Sequence, residues 1–198
     1  CAGFVWDVHT GRCISSIRAH EGAVAALCWT SDGSRIISAG RDAAIRIWDI
    51  RSGACTRTLT GHSGPVTTLS ISSGAGRILS GSSDTTVRLW SLQDGCCLKA
   101  FAGHAEAVTA VCLSPTGQYF LSGGGSFFGK VRALKLWETE RGRCLYTFTG
   151  HGGAVTSACF APDGLHAFSG SEDATIKQWC VSITSPALPA PMSLSQLS

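Results

Sequence analysis

Serine, histidine and aspartate recur together at fixed spacing in this 198-residue chain, and these are residue types that nucleophilic catalysis uses. His20 precedes Ser38 by 18 residues and Asp42 by 22 residues. In a catalytic triad the hydroxyl attacks, the imidazole takes its proton and the carboxylate orients the imidazole. An enzyme needs this set once, whereas here it returns around His62 and around His151. The repetition favours a structural role, and we predict that the chain is not an enzyme.

A glycine-rich segment offers a second candidate for chemistry. Gly124, Gly129 and Lys130 have the spacing of a phosphate-binding loop, in which backbone N–H groups wrap a phosphate and a lysine reaches its oxygens. Val131 follows where magnesium binding requires serine or threonine, and residues 134–137 have the pattern of a strand instead of a helix. We keep a nucleotide-binding switch as an alternative function, but a surface loop explains the segment better.

The ten cysteines could bind a metal or form disulfides, but their spacing follows a repeat. Four of them follow a turn glycine by two residues: Cys13, Cys55, Cys97 and Cys144. Three others share one position in an earlier run: Cys28, Cys112 and Cys159. Because no C-x-x-C pair occurs, we predict no metal site and no cofactor, and we expect both sets to be small core or interface residues. Such thiols suit a reducing compartment, so we expect a cytoplasmic protein, with the nucleus as the alternative.

Tryptophan and histidine reveal the repeat. Five tryptophans are separated by 42, 42, 47 and 42 residues: Trp6, Trp48, Trp90, Trp137 and Trp179. Four histidines are separated by 42, 42 and 47 residues: His20, His62, His104 and His151. Within one unit, strand-like runs at residues 24–29, 35–38 and 45–48 are separated by turn residues, and a fourth run at 55–59 follows the tryptophan. The period and the runs predict an all-β repeat protein with about four strands in each unit.

Short motifs stand in the same frame of the units. They include Gly61-His62, the turn Ala161-Pro162-Asp163-Gly164, the segments 80–84 and 169–173 with the pattern Ser-Gly-Ser-x-Asp, and the pairs Trp6-Asp7 and Trp48-Asp49. These motifs resemble those of the WD40 repeat family, and the resemblance covers nearly everything up to Val181. It implies an incomplete β-propeller of about four to five blades, each a four-stranded antiparallel sheet.

The resemblance also implies a hydrogen-bonded tetrad in each blade. An imidazole can accept from one group while it donates to a carboxylate, and an indole N–H only donates. Three sets are complete: His20, Ser38, Asp42 and Trp48; His62, Ser80, Asp84 and Trp90; His151, Ser169, Asp173 and Trp179. The third unit has His104, Ser122 and Trp137, but Val131 stands where the spacing back from the tryptophan requires aspartate. We therefore expect an incomplete tetrad in that blade.

The repeat frame divides the chain. Residues 1–19 form the remnant of a blade, and four repeats follow at 20–61, 62–103, 104–150 and 151–181. The third repeat carries an inserted loop at 123–133, the fourth lacks a clear last strand, and the serine- and proline-rich tail at 182–198 is expected to be disordered. The chain begins at Cys1 without the features of a signal peptide, so we expect a cut or processed N-terminus.

An arc of four blades would leave unburied faces at both ends. We therefore expect either further blades from a larger propeller or a second copy that completes an eight-bladed ring. The net charge of +3, with 15% charged residues, gives no indication of nucleic-acid binding. The chain has no apolar run near the ~18 residues that a membrane helix requires.

Protein partners are therefore the expected ligands, and the predicted function is a non-enzymatic scaffold. In proteins similar to the WD40 family, partners often meet the face that holds the loop before the first strand and the turn between the second and third strands. The candidate residues on that face are Arg41, Ser83, Phe127, Phe128, Lys130, Arg132 and Glu172. The segment Trp48-Asp49-Ile50-Arg51 is similar to a signature of WD40 substrate receptors of cullin-RING ubiquitin ligases, so that function is a further alternative.

Overall fold

A computed structural model describes residues 2–72, 74, 76–125, 132–181 and 192–193, and its regular elements are β-strands. Alternating apolar and polar residues, bounded by glycine, serine and aspartate turns, favour strands over helices here. The strands are β1 (Ala2–Trp6), β2 (Cys13–Arg18), β3 (Val24–Trp29), β4 (Arg35–Gly40), β5 (Ile45–Asp49), β6 (Cys55–Leu59), β7 (Val66–Ile71), β8 (Arg77–Ser82), β9 (Val87–Ser91), β10 (Cys97–Phe101), β11 (Val108–Leu113), β12 (Tyr119–Gly124), β13 (Leu134–Glu138), β14 (Cys144–Phe148), β15 (Val155–Phe160), β16 (His166–Ser171), β17 (Ile176–Cys180) and β18 (Met192–Ser193). In these ranges there is no helix long and apolar enough to cross a membrane.

The strands form four antiparallel sheets of four strands in chain order, and the sequence predicts all of these strands except the last one of the fourth sheet. We call them blade 1 (β3–β6), blade 2 (β7–β10), blade 3 (β11–β14) and blade 4 (β15–β18). Strands β1 and β2 form a separate two-stranded sheet, which we call the leading pair. The fold class is confirmed as all-β, of propeller type, with incomplete blades.

Each blade packs its first strand against the first two strands of the blade before it. Strand β7 contacts β3 and β4, β11 contacts β7 and β8, and β15 contacts β11 and β12. A small residue on the second strand permits this approach, because a Cβ at Gly123 would lie only 2.5 Å from Cγ1 of Val155. Apolar side chains on the second strands, such as Ile37, Leu79 and Leu121, are fully buried at these junctions.

The outward faces of the first and last blades are exposed. On β3, Leu27 is 58% exposed and Trp29 is 50% exposed, whereas Val111 and Leu113 at the same positions of β11 are each 7% exposed. These positions face the preceding blade. The leading pair covers only the outer part of blade 1, where Val5 and Ile17 pack against Ile36 and Trp48. At the other end of the arc, residues 156, 157 and 159 of β15 are exposed.

Two features differ from the sequence-based expectations. Met192 and Ser193 of the tail pair with Gln178 and Lys177, so a short fourth strand stands where disorder and a missing strand were expected. Residues 182–191 and 194–198 lie outside the described residues. Four cysteines that were expected in the core or at an interface are exposed. They begin β2 and the outermost strands of blades 1 to 3: Cys13, Cys55, Cys97 and Cys144. The reason is that the outer edge of a blade has no neighbouring sheet to bury it.

The close junction between blades 3 and 4 predicts a difference between two glycine substitutions. Gly123→Ala should lower the free energy of unfolding by about 1–3 kcal/mol, because its Cβ would press on Val155 and also approach Ala110. Gly170→Ala should cost less than about 0.5 kcal/mol, because its Cβ meets only the Ser157 hydroxyl, which is exposed and can rotate away. Urea denaturation of the two variants measures both values. Equal losses would contradict the packing described for this junction.

Candidate functional site

A serine in the second strand of each blade lies at the centre of a hydrogen-bond cluster. The indole N–H of the repeat tryptophan donates to the serine Oγ at 2.9, 2.8, 2.8 and 2.8 Å in blades 1 to 4. The Nε2 of the repeat histidine lies 2.7, 2.8, 2.6 and 2.8 Å from the same oxygen. The four serines are Ser38, Ser80, Ser122 and Ser169. This contact links the second strand, the third strand and the loop before the first strand.

An aspartate extends the cluster in blades 1, 2 and 4. Its carboxylate lies 2.8 Å from Nδ1 of His20, 2.7 Å from Nδ1 of His62 and 2.9 Å from Nδ1 of His151. An ionised carboxylate only accepts, so in blades 2 and 4 the Nδ1 of the histidine donates a proton to it, and the neutral imidazole then accepts the serine O–H at Nε2. In blade 1 the Nδ1 of His20 also lies 2.6 Å from Nη1 of Arg46, which only donates. The aspartate thereby fixes the tautomer of the histidine in blades 2 and 4.

The same carboxylate holds the turn between the second and third strands. Asp84 accepts from the backbone N–H of Thr86 at 2.9 Å and from its hydroxyl at 2.7 Å, and it also accepts from the N–H of Ser63 at 3.0 Å. The residue after the aspartate has a left-handed backbone in each of the three turns: Ala43, Thr85 and Ala174. Such backbone persists where surrounding bonds hold it, so the aspartate determines the shape of the turn.

These contacts shift the ionisation of the pairs. Burial is the largest influence on Asp84 and would raise its pKa, but the bonds from Thr86, His62 and Ser63 together lower that pKa to about 2. Asp42 and Asp173 show the same balance, with pKa values held well below the usual range. Burial lowers the pKa of His62, although Asp84 acts in the opposite direction. Near neutral pH the aspartates are therefore ionised, and His62 is neutral.

Blade 3 keeps only three members of the cluster. His104 contacts Ser122 as its counterparts do, but among the described residues no carboxylate accepts from its Nδ1. Val131, the residue that the sequence places at the aspartate position, lies outside the described residues. Burial, with a smaller contribution from the charge of Lys135, lowers the pKa of His104 to about 4. The imidazole is thus neutral over the physiological pH range.

The catalytic interpretations do not fit this geometry. A nucleophilic serine must reach its substrate, yet the four cluster serines are at most 1% exposed and each already accepts an indole N–H. The strand β13 follows the glycine-rich segment, where a phosphate-binding loop needs a helix, and Gly129 and Lys130 lie outside the described residues. In the part of the chain that the structure describes, no cluster of three or more His, Cys, Asp or Glu side chains could hold a metal ion. Burial raises the pKa of the Cys28 thiol to about 12.

Three of the candidate binding residues occupy equivalent turns of their blades, and we call the surface formed by these turns the turn face. The backbone N–H groups of Arg41, Ser83 and Glu172 donate to the carbonyl of the loop before the first strand at 2.9, 2.9 and 3.0 Å. All three side chains are exposed, and each stands beside a tetrad aspartate. Arg132 is partly exposed and precedes β13. Phe127, Phe128 and Lys130 lie outside the described residues.

Arg51, the residue of the ligase-receptor signature, lies away from the turn face. It is exposed and follows the far end of β5, whereas Arg41 precedes the near end of that strand. Asp49 accepts from the backbone N–H and the hydroxyl of Ser52, both at 2.8 Å, and so closes the turn around Arg51. The two candidate binding regions therefore lie at opposite ends of β5 in blade 1.

Sequence reasoning missed a cation next to each tetrad. A basic residue stands two positions before the tryptophan in every repeat: Arg46, Arg88, Lys135 and Lys177. Arg46 donates to Asp42 at 2.7 Å, Arg88 lowers the pKa of His62 and Lys135 lowers that of His104. The regular spacing was visible in the sequence, but only the fold shows that Arg46 contacts the tetrad directly, whereas the ammonium of Lys135 donates to the Thr147 hydroxyl.

Glu106 was also missed. It lies two residues after His104, where the other repeats have glycine, and its Oε2 is buried without a hydrogen-bond partner. At Gly153, the counterpart in blade 4, a Cβ would lie 2.6 Å from the backbone N of Asp173. The short turn in blade 4 therefore requires glycine, whereas blade 3 has a longer connection in its sequence and a glutamate at this position.

Comparison with known families agrees with the repeat frame. The family model described as "WD domain, G-beta repeat" matches residues 11–49, 53–91, 95–127 and 142–180. Each match begins at a turn glycine just before β2, β6, β10 or β14. The third match ends within the insertion of blade 3. No curated protein matches the chain.

The low pKa of His104 predicts how stability responds to pH. An unfolded imidazole titrates near 6.5, so between about pH 6.5 and pH 4 the unfolded chain binds more protons than the folded protein. The free energy of unfolding should therefore fall as the pH is lowered through this window. His104→Gln should reduce that dependence, as measured by chemical denaturation near pH 7 and near pH 4.5.

His9→Gln serves as the control, because His9 is exposed and lies outside the tetrads. This substitution should leave the pH dependence unchanged. If both variants kept the slope of the original protein, His104 would not be the group that titrates.

Proposed function

The chain belongs to the WD40 repeat family, and from this premise we propose that it is a non-enzymatic scaffold that binds protein partners through the turn face. The observation that carries the proposal is the arrangement of Arg41, Ser83 and Glu172, which occupy equivalent turns of three blades and are all exposed. The backbone is alike at the three sites while the side chains are cationic, neutral and anionic. Such a surface can select a partner by its charge pattern.

The turns are also ordered before a partner arrives. Each is held by the tetrad aspartate and by a backbone bond to the neighbouring loop, so little conformational entropy remains to be lost on binding. Recognition commonly uses loops that a rigid scaffold positions. These features support binding through the turn face over catalysis, and the burial of the four tetrad serines supports the same choice.

The insertion of blade 3 adds candidates to this surface. Phe127 and Phe128 would supply apolar contact area, and Lys130 and Arg132 would supply donors. Aromatic and arginine side chains contribute much of the binding energy in many protein interfaces. Their proposed role rests on residue type and on their place in the sequence beside the turn face.

We also propose a cytoplasmic location. The support is chemical, because four thiols at repeat positions are exposed as free cysteines: Cys55, Cys97, Cys144 and Cys159. Exposed thiols persist in reducing compartments and are oxidised elsewhere.

The exposed ends of the arc are also proposed to be covered by protein. Leu27 and Trp29 have the position at which the preceding blade buries Val111 and Leu113 of blade 3 and partly buries the counterparts in blades 2 and 4. We expect this face to be covered by further blades or by a second copy of the chain. Light scattering should give twice the 20.6 kDa mass if a second copy covers it. A Leu27→Asp, Trp29→Ser double variant should then be monomeric, whereas a monomer in both cases would exclude self-assembly.

Charge reversal on the turn face tests the main proposal. Arg41→Glu combined with Glu172→Arg should weaken capture of the partners of the original protein by about tenfold or more, because each reversal replaces an attraction with a repulsion. Partners are identified by quantitative mass spectrometry and their affinity is then measured with purified proteins.

Arg51→Glu is the matched control, because Arg51 follows the end of β5 that lies away from the turn face. It should leave these partners bound, since Arg51 lies away from the turn face. If Arg51→Glu released the partners and the turn-face variant did not, the ligase-receptor alternative would replace the present proposal.

A further inference from the structure

The tetrads of blades 2 and 4 show how this fold binds a carboxylate. One oxygen of the aspartate accepts from two donors, the Nδ1–H of the histidine and the backbone N–H of the residue after it. In blade 2, Asp84 Oδ2 lies 2.7 Å from His62 Nδ1 and 3.0 Å from the N–H of Ser63. The corresponding distances in blade 4 are 2.9 and 2.7 Å. Two neighbouring donors thus form a repeated carboxylate-binding unit.

Blade 3 has the same two donors. His104 is anchored to Ser122 at 2.6 Å and Trp137 donates to that serine at 2.8 Å, so its imidazole is held by the same contacts as its counterparts. Within the described ranges, neither Nδ1 of His104 nor the N–H of Ala105 has a hydrogen-bond partner. Gly124 leaves Nδ1 uncovered, because a Cβ there would lie 2.7 Å from this atom.

The histidine of blade 3 is more accessible than its counterparts. His104 is partly exposed, whereas His20, His62 and His151 are at most 9% exposed. Lys135 is close enough to influence the ionisation of His104. At the same position in blade 1, Arg46 donates directly to the carboxylate of the tetrad aspartate at 2.7 Å. In blade 3 the ammonium of Lys135 instead donates to the Thr147 hydroxyl at 3.0 Å, so this cation lies near the histidine but is bound to the fourth strand.

We propose that His104 Nδ1 and the backbone N–H of Ala105 form a binding site for a carboxylate of a partner protein. The carboxylate belongs to an aspartate or glutamate side chain or to a chain terminus. It takes the place that the tetrad aspartate takes in the other blades, and it makes the same two hydrogen bonds. The inference rests on the proposed function of the turn face, and it adds an acidic group to the description of the partner.

Glu106 is the group in this chain that could compete for the site. Its carboxylate oxygen is buried without a partner two residues after His104, and a negative charge there opposes an incoming anion. Glu106 is not among the groups that shift the pKa of His104, whereas Lys135 is. The net influence on the imidazole is thus cationic, and a Glu106→Gln variant tests the competition.

The first experiment titrates acetate into the full chain at constant ionic strength, with chloride as the reference anion. NMR follows the amide of Ala105 and the imidazole of His104. Acetate should shift the Ala105 amide in a saturable way and raise the pKa of His104, because a bound carboxylate stabilises the charged imidazole. The Ser63 amide of blade 2, which Asp84 already occupies, should not respond. Equal responses at Ala105 and Ser63, or none at Ala105, would overturn the site.

Two variants distinguish the occupants. Ser126→Asp puts an aspartate directly after Gly125, as Asp42 directly follows Arg41, and it should weaken acetate binding by about tenfold or more. Glu106→Gln should leave acetate binding equal or stronger. If Glu106→Gln instead lowered the pKa of His104 in the ligand-free protein, Glu106 would be the resident partner of the histidine and the proposal would be wrong.

Peptides then identify the source of the carboxylate. An acidic peptide with blocked ends should bind if side chains are recognised, and a neutral peptide with a free C-terminus should bind if the terminus is recognised. Binding of neither would limit the site to small anions and overturn its role in partner recognition. The acetate titration needs no partner, and the Arg41 and Glu172 reversals do not alter His104, so failure of this site can be told apart from failure of the turn-face proposal.

Discussion

The serine hydroxyl at the centre of each blade is the contact on which the rest of the sheet depends. It joins the indole of the third strand to the imidazole of the preceding loop while being at most 1% exposed. A buried hydroxyl, an indole N–H and an imidazole would each be costly without partners, and together they satisfy one another. The same arrangement in four blades makes the sheets equivalent, so each can present a turn to solvent in the same orientation.

Close packing between the blades imposes the second constraint. Gly123 lies on the second strand of blade 3 because Val155 of the next blade occupies the space of a side chain. The junctions are made between neighbours only, so the array behaves as a chain of similar contacts. Leu27 and Trp29 have the residue types of such a junction but meet solvent. The exposed face of the first blade therefore has the apolar composition of a face that packs against another sheet.

The sequence predicted the strands from the spacing and the type of residues, and it predicted the composition of the tetrads through the resemblance to the WD40 family. Tryptophan and histidine share one frame, and alternation within short runs defines strands. The prediction of core or interface positions failed for Cys55 and Cys97. Spacing gives the position of a residue in a blade, but it does not show which strands lie at the outer edge. Sequence reasoning also missed Met192–Ser193, whose pairing with β17 follows a connection without a repeat motif. Charge pairs such as Arg46 with Asp42 depend on side-chain direction, which only the fold supplies.

Blade 3 separates two roles that the complete tetrads combine. His104, Ser122 and Trp137 keep their contacts without a described carboxylate, and burial keeps the imidazole neutral so that it can still accept from serine. The three inner groups are therefore sufficient to join the strands. The aspartate adds control of the turn, through its bonds to Thr86 in blade 2 and Thr175 in blade 4. Because these roles are separable, a blade can change its turn and gain residues such as Glu106 while its sheet retains the common core. Within this chain, blade 3 thus differs from the other blades at the turn while its sheet keeps the contact among histidine, serine and tryptophan.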